Sequence, residues 1–169
     1  YVYDAEGKKY LDFGSGIAVN ALGHGHPSLM KALTGQAKRL LHTSNLYFSQ
    51  PQIELAQLLV KHSFGDRVFL CNSGTEAMEA AIKFSRKWAL TLSPKKYHIL
   101  SFNNGFHGRT YGALSATAQA KFHQGFGPMM EGFHYAPIND IPKTRAILKK
   151  HPFAAIIIEP IQGESGVNA

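Results

Sequence analysis

A single cysteine, Cys71, leaves this 169-residue chain unable to form an internal disulfide. Small secreted scaffolds held by cross-links are thereby excluded, and a reducing compartment is compatible. Long apolar runs are missing too: nothing approaches the roughly 18 consecutive apolar residues of a membrane span, and no basic-then-apolar leader opens the chain. No membrane partner and no export are expected, and the cytoplasm is the simplest location. Runs of one charge are also absent. The net charge of +7 is spread over pairs such as Lys8-Lys9, Lys95-Lys96 and Lys149-Lys150, so no nucleic-acid partner is expected, although a mild positive field suits anionic small ligands. Metal-ligand spacing is lacking as well. Nine histidines invite a metal reading, but the GHGHP around His24 and His26 has neither thiol partners nor the i,i+4 spacing of an HExxH helix, and no metal is expected.

What remains is an ordinary globular composition, 44% apolar and 17% charged, for which one compact unit is the expectation. Tyr1 to Tyr3 and Lys9 to Phe13 flank a Gly7-containing turn and read as a small antiparallel hairpin. Pro27 can open a helix with Leu29, Leu33 and Leu40 near one face, ending about His42. Ser49, Pro51 and Gln52 start a second helix, which Gly65 closes. Val68 to Cys71, Tyr97 to Phe102 and Ala154 to Ile158 are apolar runs consistent with buried strands. Between the first two lies a helical pattern with Ala77, Ala81, Phe84 and Trp88 on one face and Glu79 four residues before Lys83 as a charge pair. Strands alternating with helices predict a mostly parallel α/β sheet.

Three turns carry candidate chemistry. Asn72, Ser73, Gly74 and Thr75 lie between an apolar run and a helix, where unpaired amides, a positive dipole end and close approach at Gly74 suit a phosphate. The same SGTE is a capping box, with Ser73 on the Glu76 amide and the Glu76 carboxylate on the Ser73 amide, and this alone would explain it. No Gly-Lys-Ser/Thr follows, so a nucleoside triphosphate is not implied. Phe106, His107, Gly108 and Arg109 follow the second strand, where an aromatic ring could stack on a flat cofactor and a guanidinium clamp a carboxylate. A packed loop phenylalanine and a solvated arginine fit equally. Glu159 and Glu164 leave a strand, AAIII, of the kind that would be central, and serve either acid-base chemistry or an ordinary Pro160 and Gly163 turn.

In this order, GIAVNALGHGHP at 16 to 27, NSGTEAMEAAIK at 72 to 83, FHGRT at 106 to 110 and EPIQGESG at 159 to 166 resemble the class III pyridoxal-phosphate aminotransferases, nearest their acetylornithine branch. Four colinear motifs over nearly the whole chain are far more specific than any one. The resemblance implies a fold type I architecture, incomplete here: the first half of a mostly parallel cofactor-binding sheet with helices, plus a small N-terminal antiparallel element. Residues 1 to 45 would belong to the small domain and 46 to 169 to the first part of the large one. It further implies that Ser73, Gly74 and Thr75 hold the phosphate of pyridoxal phosphate, that Phe106 stacks on its ring, and that Glu159 sits near it. Arg109 would bind a substrate carboxylate. Glu164 would be a gate carboxylate that lets one site accept different amino-acid and 2-oxo-acid substrates in a homodimer.

The third motif reads QGE, unlike the EPVxGN of aminomutase-like members or the QGAGG of diaminopelargonate-type members. Gly16, Ile17 and Ala18 stand where ornithine aminotransferases resemble this chain but carry a substrate-binding tyrosine, which favours an acetylated donor. The family's aspartate for the pyridine nitrogen, Schiff-base lysine, partner threonine and the arginine opposite Glu164 have no match here, and Lys83 and Lys121 fit no such motif. Tyr1 in place of methionine, and Gly163 to Ala169 without a closing helix, are read as the ends of an N-terminal portion, expected to be inactive alone.

Overall fold

Short β-prone runs around a turn need a local organiser, and in the computed structural model, which describes residues 1 to 169, Asp4 provides it. Its carboxylate accepts the amides of Glu6 and Lys8 and the Tyr10 hydroxyl, which draws its pKa down, the Tyr10 bond contributing most. The hairpin is β1 (Val2–Tyr3) against antiparallel β2 (Lys9–Tyr10), Val2 facing Tyr10. After a distorted turn, α1 (Ser15–Ala18), come α2 (Pro27–Arg39) and α3 (Gln50–Lys61), each with proline in its first turn, where the missing N–H costs nothing. Both helices end earlier than expected, and Ser49 makes no side-chain cap. These elements form one compact unit, Tyr1–Val68, in which no residue is fully buried; Leu29, Leu33 and Leu40 remain exposed. No helix of the chain is long and apolar enough to cross a membrane.

The second unit, Phe69–Ala169, contains the core. It comprises α4 (Gly74–Leu90), β3 (His98–Phe102), α5 (Tyr111–Ala116), α6 (Ala120–His123), β4 (Phe133–Ala136), α7 (Ile141–Leu148) and β5 (Phe153–Ile156). The sheet is parallel throughout, as expected, in the order β4-β3-β5. Ile99, Leu100 and Ser101 are fully buried because β3 is central and covered on both faces. Ile99 packs with Ile82 of α4 and Ala116 of α5 on one face. Leu100 and Phe102 pack with Ala136 and, from α7, Ile147 and Leu148 on the other.

Several expectations need correction. The AAIII strand lies at an edge, and Ile156 and Ile158 are exposed. Val68 to Cys71 is not a strand, because no other strand lies beside it to pair its amides and carbonyls; Phe69 and Leu70 face solvent. Helix α4 turns the opposite face inward from the one expected. Ile82 and Ala89 are buried with Thr75, Met78, Glu79 and Arg86 beside them, whereas Ala77, Ala81, Phe84 and Trp88 are exposed. The Glu79 and Lys83 charge pair does not form, since Glu79 is bonded elsewhere.

Candidate functional site

The first turn of a 17-residue helix must find acceptors for its amides, and α4 satisfies only part of that need. Ser73 caps it, accepting the Glu76 amide at 3.4 Å as expected. The Glu76 carboxylate reaches one residue further back than a capping box predicts, accepting the amide of Asn72 at 2.6 Å. That bond, more than any other, lowers the Glu76 pKa. The amides of Gly74 and Thr75 donate to nothing in the chain, and a Cβ at Gly74 would meet no atom within 4 Å. Two free donors at a positive helix end, with open space beside Gly74, fit a bound phosphate group.

Thr75 connects this helix end to the loop after β3. Its hydroxyl lies 3.0 Å from that of Thr110, which donates to Glu79 at 2.5 Å; the same Glu79 oxygen accepts the Ala113 amide at 3.0 Å. Helix α5 begins at Tyr111, so a helix-borne carboxylate from α4 stands at its N-terminus in place of a cap that Thr110 does not provide. The packing is tight. A Cβ at Gly108, whose φ is +125°, would collide with the Thr75 hydroxyl, and one at Gly112 would collide with the Glu79 carboxylate.

The loops after β3 and β5 converge on the same end of the sheet, the carboxyl ends of its strands, where open α/β sheets form ligand crevices. The Phe106 amide donates to Glu159 at 2.9 Å, and the Phe106 ring packs edge-on against Phe122 at 5.6 Å, leaving the residue partly exposed. His107 is buried with its amide on Thr117, and burial lowers its pKa while the nearby Glu159 charge pulls weakly the other way. Arg109 is exposed and lines a cavity of about 390 Å³ with Tyr111, Leu114, Lys121, Phe122 and Phe126. Cationic heads among aromatic walls suit a carboxylate on an apolar stem.

Glu164 accepts the Gln119 side-chain amide at 2.7 Å and Lys121 at 3.2 Å; the Gln119 bond is the larger cause of its lowered pKa. Gln119 also donates to the carbonyls of Asn104 and Gly105, and Gln162, 2% exposed, donates to the carbonyl of Asn103. These two glutamines staple the β3 and β5 loops together. Sequence reasoning missed both, along with the bonds of Thr110 and Glu79. Only the position of Gln162 inside the third motif hinted at one of them. Ser73, Gly74 and Thr75 are thus joined through Thr110 to the loop bearing Phe106 and Arg109, while from beyond β5 Glu159 reaches that loop directly and Glu164 through Gln119.

A family model described as aminotransferase class-III matches residues 1–169. An acetylornithine aminotransferase of Aquifex aeolicus is 56% identical over 169 residues, covering 99% of this chain and 45% of its own length. One of Methanocaldococcus jannaschii is 50% identical over 168 residues, covering 99% and 42%. Among solved structures, the ornithine aminotransferase of Toxoplasma gondii superposes with a TM-score of 0.92 at 35% identity, covering 99% of this chain and 40% of that one. The N-acetylornithine aminotransferase of Stenotrophomonas maltophilia gives 0.79 at 40% identity, covering 98% and 40%. The chain spans about two-fifths of the length of these relatives.

Proposed function

Because the chain belongs to the class III aminotransferases, we propose that it forms the phosphate-gripping part of an enzyme moving the terminal amino group of N-acetylornithine, or a related ω-amino donor, to 2-oxoglutarate. The observation that carries the reading is the pair of free amides at Gly74 and Thr75, with open space beside Gly74, tied by Thr75 and Thr110 to the loop of Phe106 and Arg109. Pyridoxal phosphate, when bound, supplies an electron sink that makes the substrate's amino-bearing carbon acidic. The Gly74 and Thr75 amides and the Ser73 hydroxyl would hold its phosphate, and the Phe106 ring would shield its pyridine ring from water. Glu159 fixes the backbone that carries Phe106. Arg109 pairs with a substrate carboxylate in the cavity it lines. Glu164, held by Gln119 and Lys121, is the movable gate between amino donor and oxo acid.

On this reading residues 1 to 45 belong to the small domain and 46 to 169 begin the large domain of a cytoplasmic homodimer. The 169 residues alone do not transaminate, since no lysine here matches the motif of the cofactor-anchoring lysine. An ornithine donor is the second reading, favoured by the 0.92 TM-score to an ornithine aminotransferase; Gly16, Ile17 and Ala18 in place of a substrate tyrosine support the acetylated one. The test is to reconstitute the complete polypeptide with cofactor and offer acetylornithine, ornithine and 4-aminobutyrate with 2-oxoglutarate. Glutamate should form fastest from acetylornithine. No glutamate and no change in cofactor absorbance with any donor would remove the proposal.

A further inference from the structure

Three histidines separated by 36 and 17 positions in sequence meet at the end of the sheet opposite the site described above. His98 opens β3, His134 is the second residue of β4, and His151 sits in the turn that leads into β5. One ring nitrogen from each lies within 4.8 Å of the other two, and all three residues are half-buried. His98 Nδ1 and His134 Nε2 are 2.9 Å apart, and the His134 and His151 rings stack with centroids 4.2 Å apart.

We propose that His98, His134 and His151 form a binding site for a divalent transition cation of the zinc, nickel or copper type, with water completing the coordination. Three imidazoles are a donor set suited to such ions, and three protein ligands with an open fourth position is a recurrent zinc geometry. No carboxylate belongs to the cluster, which selects against the oxygen-seeking calcium and magnesium ions. Ligand nitrogens on a tetrahedral ion with bonds of about 2.0–2.1 Å lie about 3.3 Å apart. The His98 and His134 pair, at 2.9 Å, therefore has to open slightly, and His151, within 4.8 Å of both, reaches such an ion by side-chain rotation.

The surroundings hold the rings ready. Phe153 stands edge-on to all three, and Tyr97 stacks on His98 at 4.3 Å. Two ligands are on paired strands, and Pro152 restricts the backbone of His151 to extended conformations. The proton now shared between the His98 and His134 rings moves to a nitrogen facing away from the ion, so coordination leaves the proton count unchanged.

Arg86 opposes a second positive charge near His98. Two of its hydrogen bonds go to the carbonyls of Tyr97 and Glu131 and hold it in place. It thus raises the cost for any cation and leaves the site to ions whose bonds to imidazole are strong. An ion here would tie together the amino ends of all three strands of the second unit.

The complete protein, stripped of metal with a chelator and dialysed against buffered zinc, should retain one zinc per chain and melt at a higher temperature. Cobalt in its place should give the visible absorption of four-coordinate geometry. His134→Gln should weaken zinc binding more than ~100-fold, because removing even an outer partner of a ligand typically costs ~10–100-fold. His151→Gln, on a turn where the fold tolerates change, should do the same with an unaltered circular dichroism spectrum. His24→Gln, which removes the separate Asp12 and His24 pair, should change nothing. Equal zinc retention by the unmodified protein and the His151→Gln variant, or none by either, would overturn the assignment.

Discussion

Replacing Glu79 separates two accounts of how α4 is held. As the first member of an i,i+4 pair with Lys83, Glu79 would contribute only about 0.3–0.5 kcal/mol. In the structure its carboxylate instead accepts the Thr110 hydroxyl and the Ala113 amide on one oxygen. A hydrogen bond to a charged group is worth about 1.5–3 kcal/mol, but two bonds on one oxygen do not add fully and the Thr110 side is open to solvent. Glu79→Ala should therefore cost about 2 kcal/mol, leaving the Ala113 amide at the head of α5 without an acceptor. Glu79→Gln keeps one acceptor oxygen and should recover about half of that loss. Lys83→Ala should cost no more than about 0.5 kcal/mol. Urea unfolding of the complete protein, followed by far-ultraviolet circular dichroism, measures all three. Because Thr110 also meets Thr75, Glu79→Ala should in addition weaken cofactor binding, read by absorbance during dialysis. Small and equal losses for Glu79→Ala and Lys83→Ala would refute this account of the helix.

Gly108→Ala forces a Cβ into Thr75 at a φ of +125°, and should cost at least ~2 kcal/mol through overpacking and left-handed strain; an unchanged melting temperature would count against the packing described. Gln119→Ala removes the main cause of the lowered Glu164 pKa, so the Glu164 carboxyl should titrate at higher pH in a carbon-13 spectrum, and an unmoved titration would mean that Lys121 alone holds it. His107 is buried with its pKa below the unfolded value of about 6.5, so the unfolded chain binds the extra proton first and stability falls as pH drops below about 6.5. Denaturation midpoints from pH 8 to 5 should decline less in His107→Gln, and identical slopes would rule His107 out as a contributor.

The parallel sheet and the helix that starts at Gly74 were legible because an apolar run followed by SGTE, and motifs placed just after strands, are local signals. The inward face of α4 was not. Phe84 and Trp88 are the large apolar side chains, yet the buried stripe carries Glu79 and Arg86, whose partners lie 11 to 45 positions away. Periodicity scores such polar residues as solvent-facing, and only tertiary hydrogen bonds make them compatible with burial. Strand β4 escaped for a related reason: FHYA is four residues long with His134 and Tyr135 inside it, and its pairing with β3 comes from the chain's return through α5 and α6. For the site, Gly74, Phe106 and Arg109 stood out by residue type and position. Gln119 and Gln162, which fix the loops carrying them, look like any surface glutamine until their carbonyl partners are known.

Trp88 is the only tryptophan of the chain and lies 60% exposed on the outward stripe of α4, near Phe84 and with Lys96 over its ring. Indole emission from this polypeptide therefore comes from one known place. With that face in water the emission is red-shifted, and anything apolar laid along the stripe moves it to the blue, so a fluorometer can follow the covering of α4 without any label.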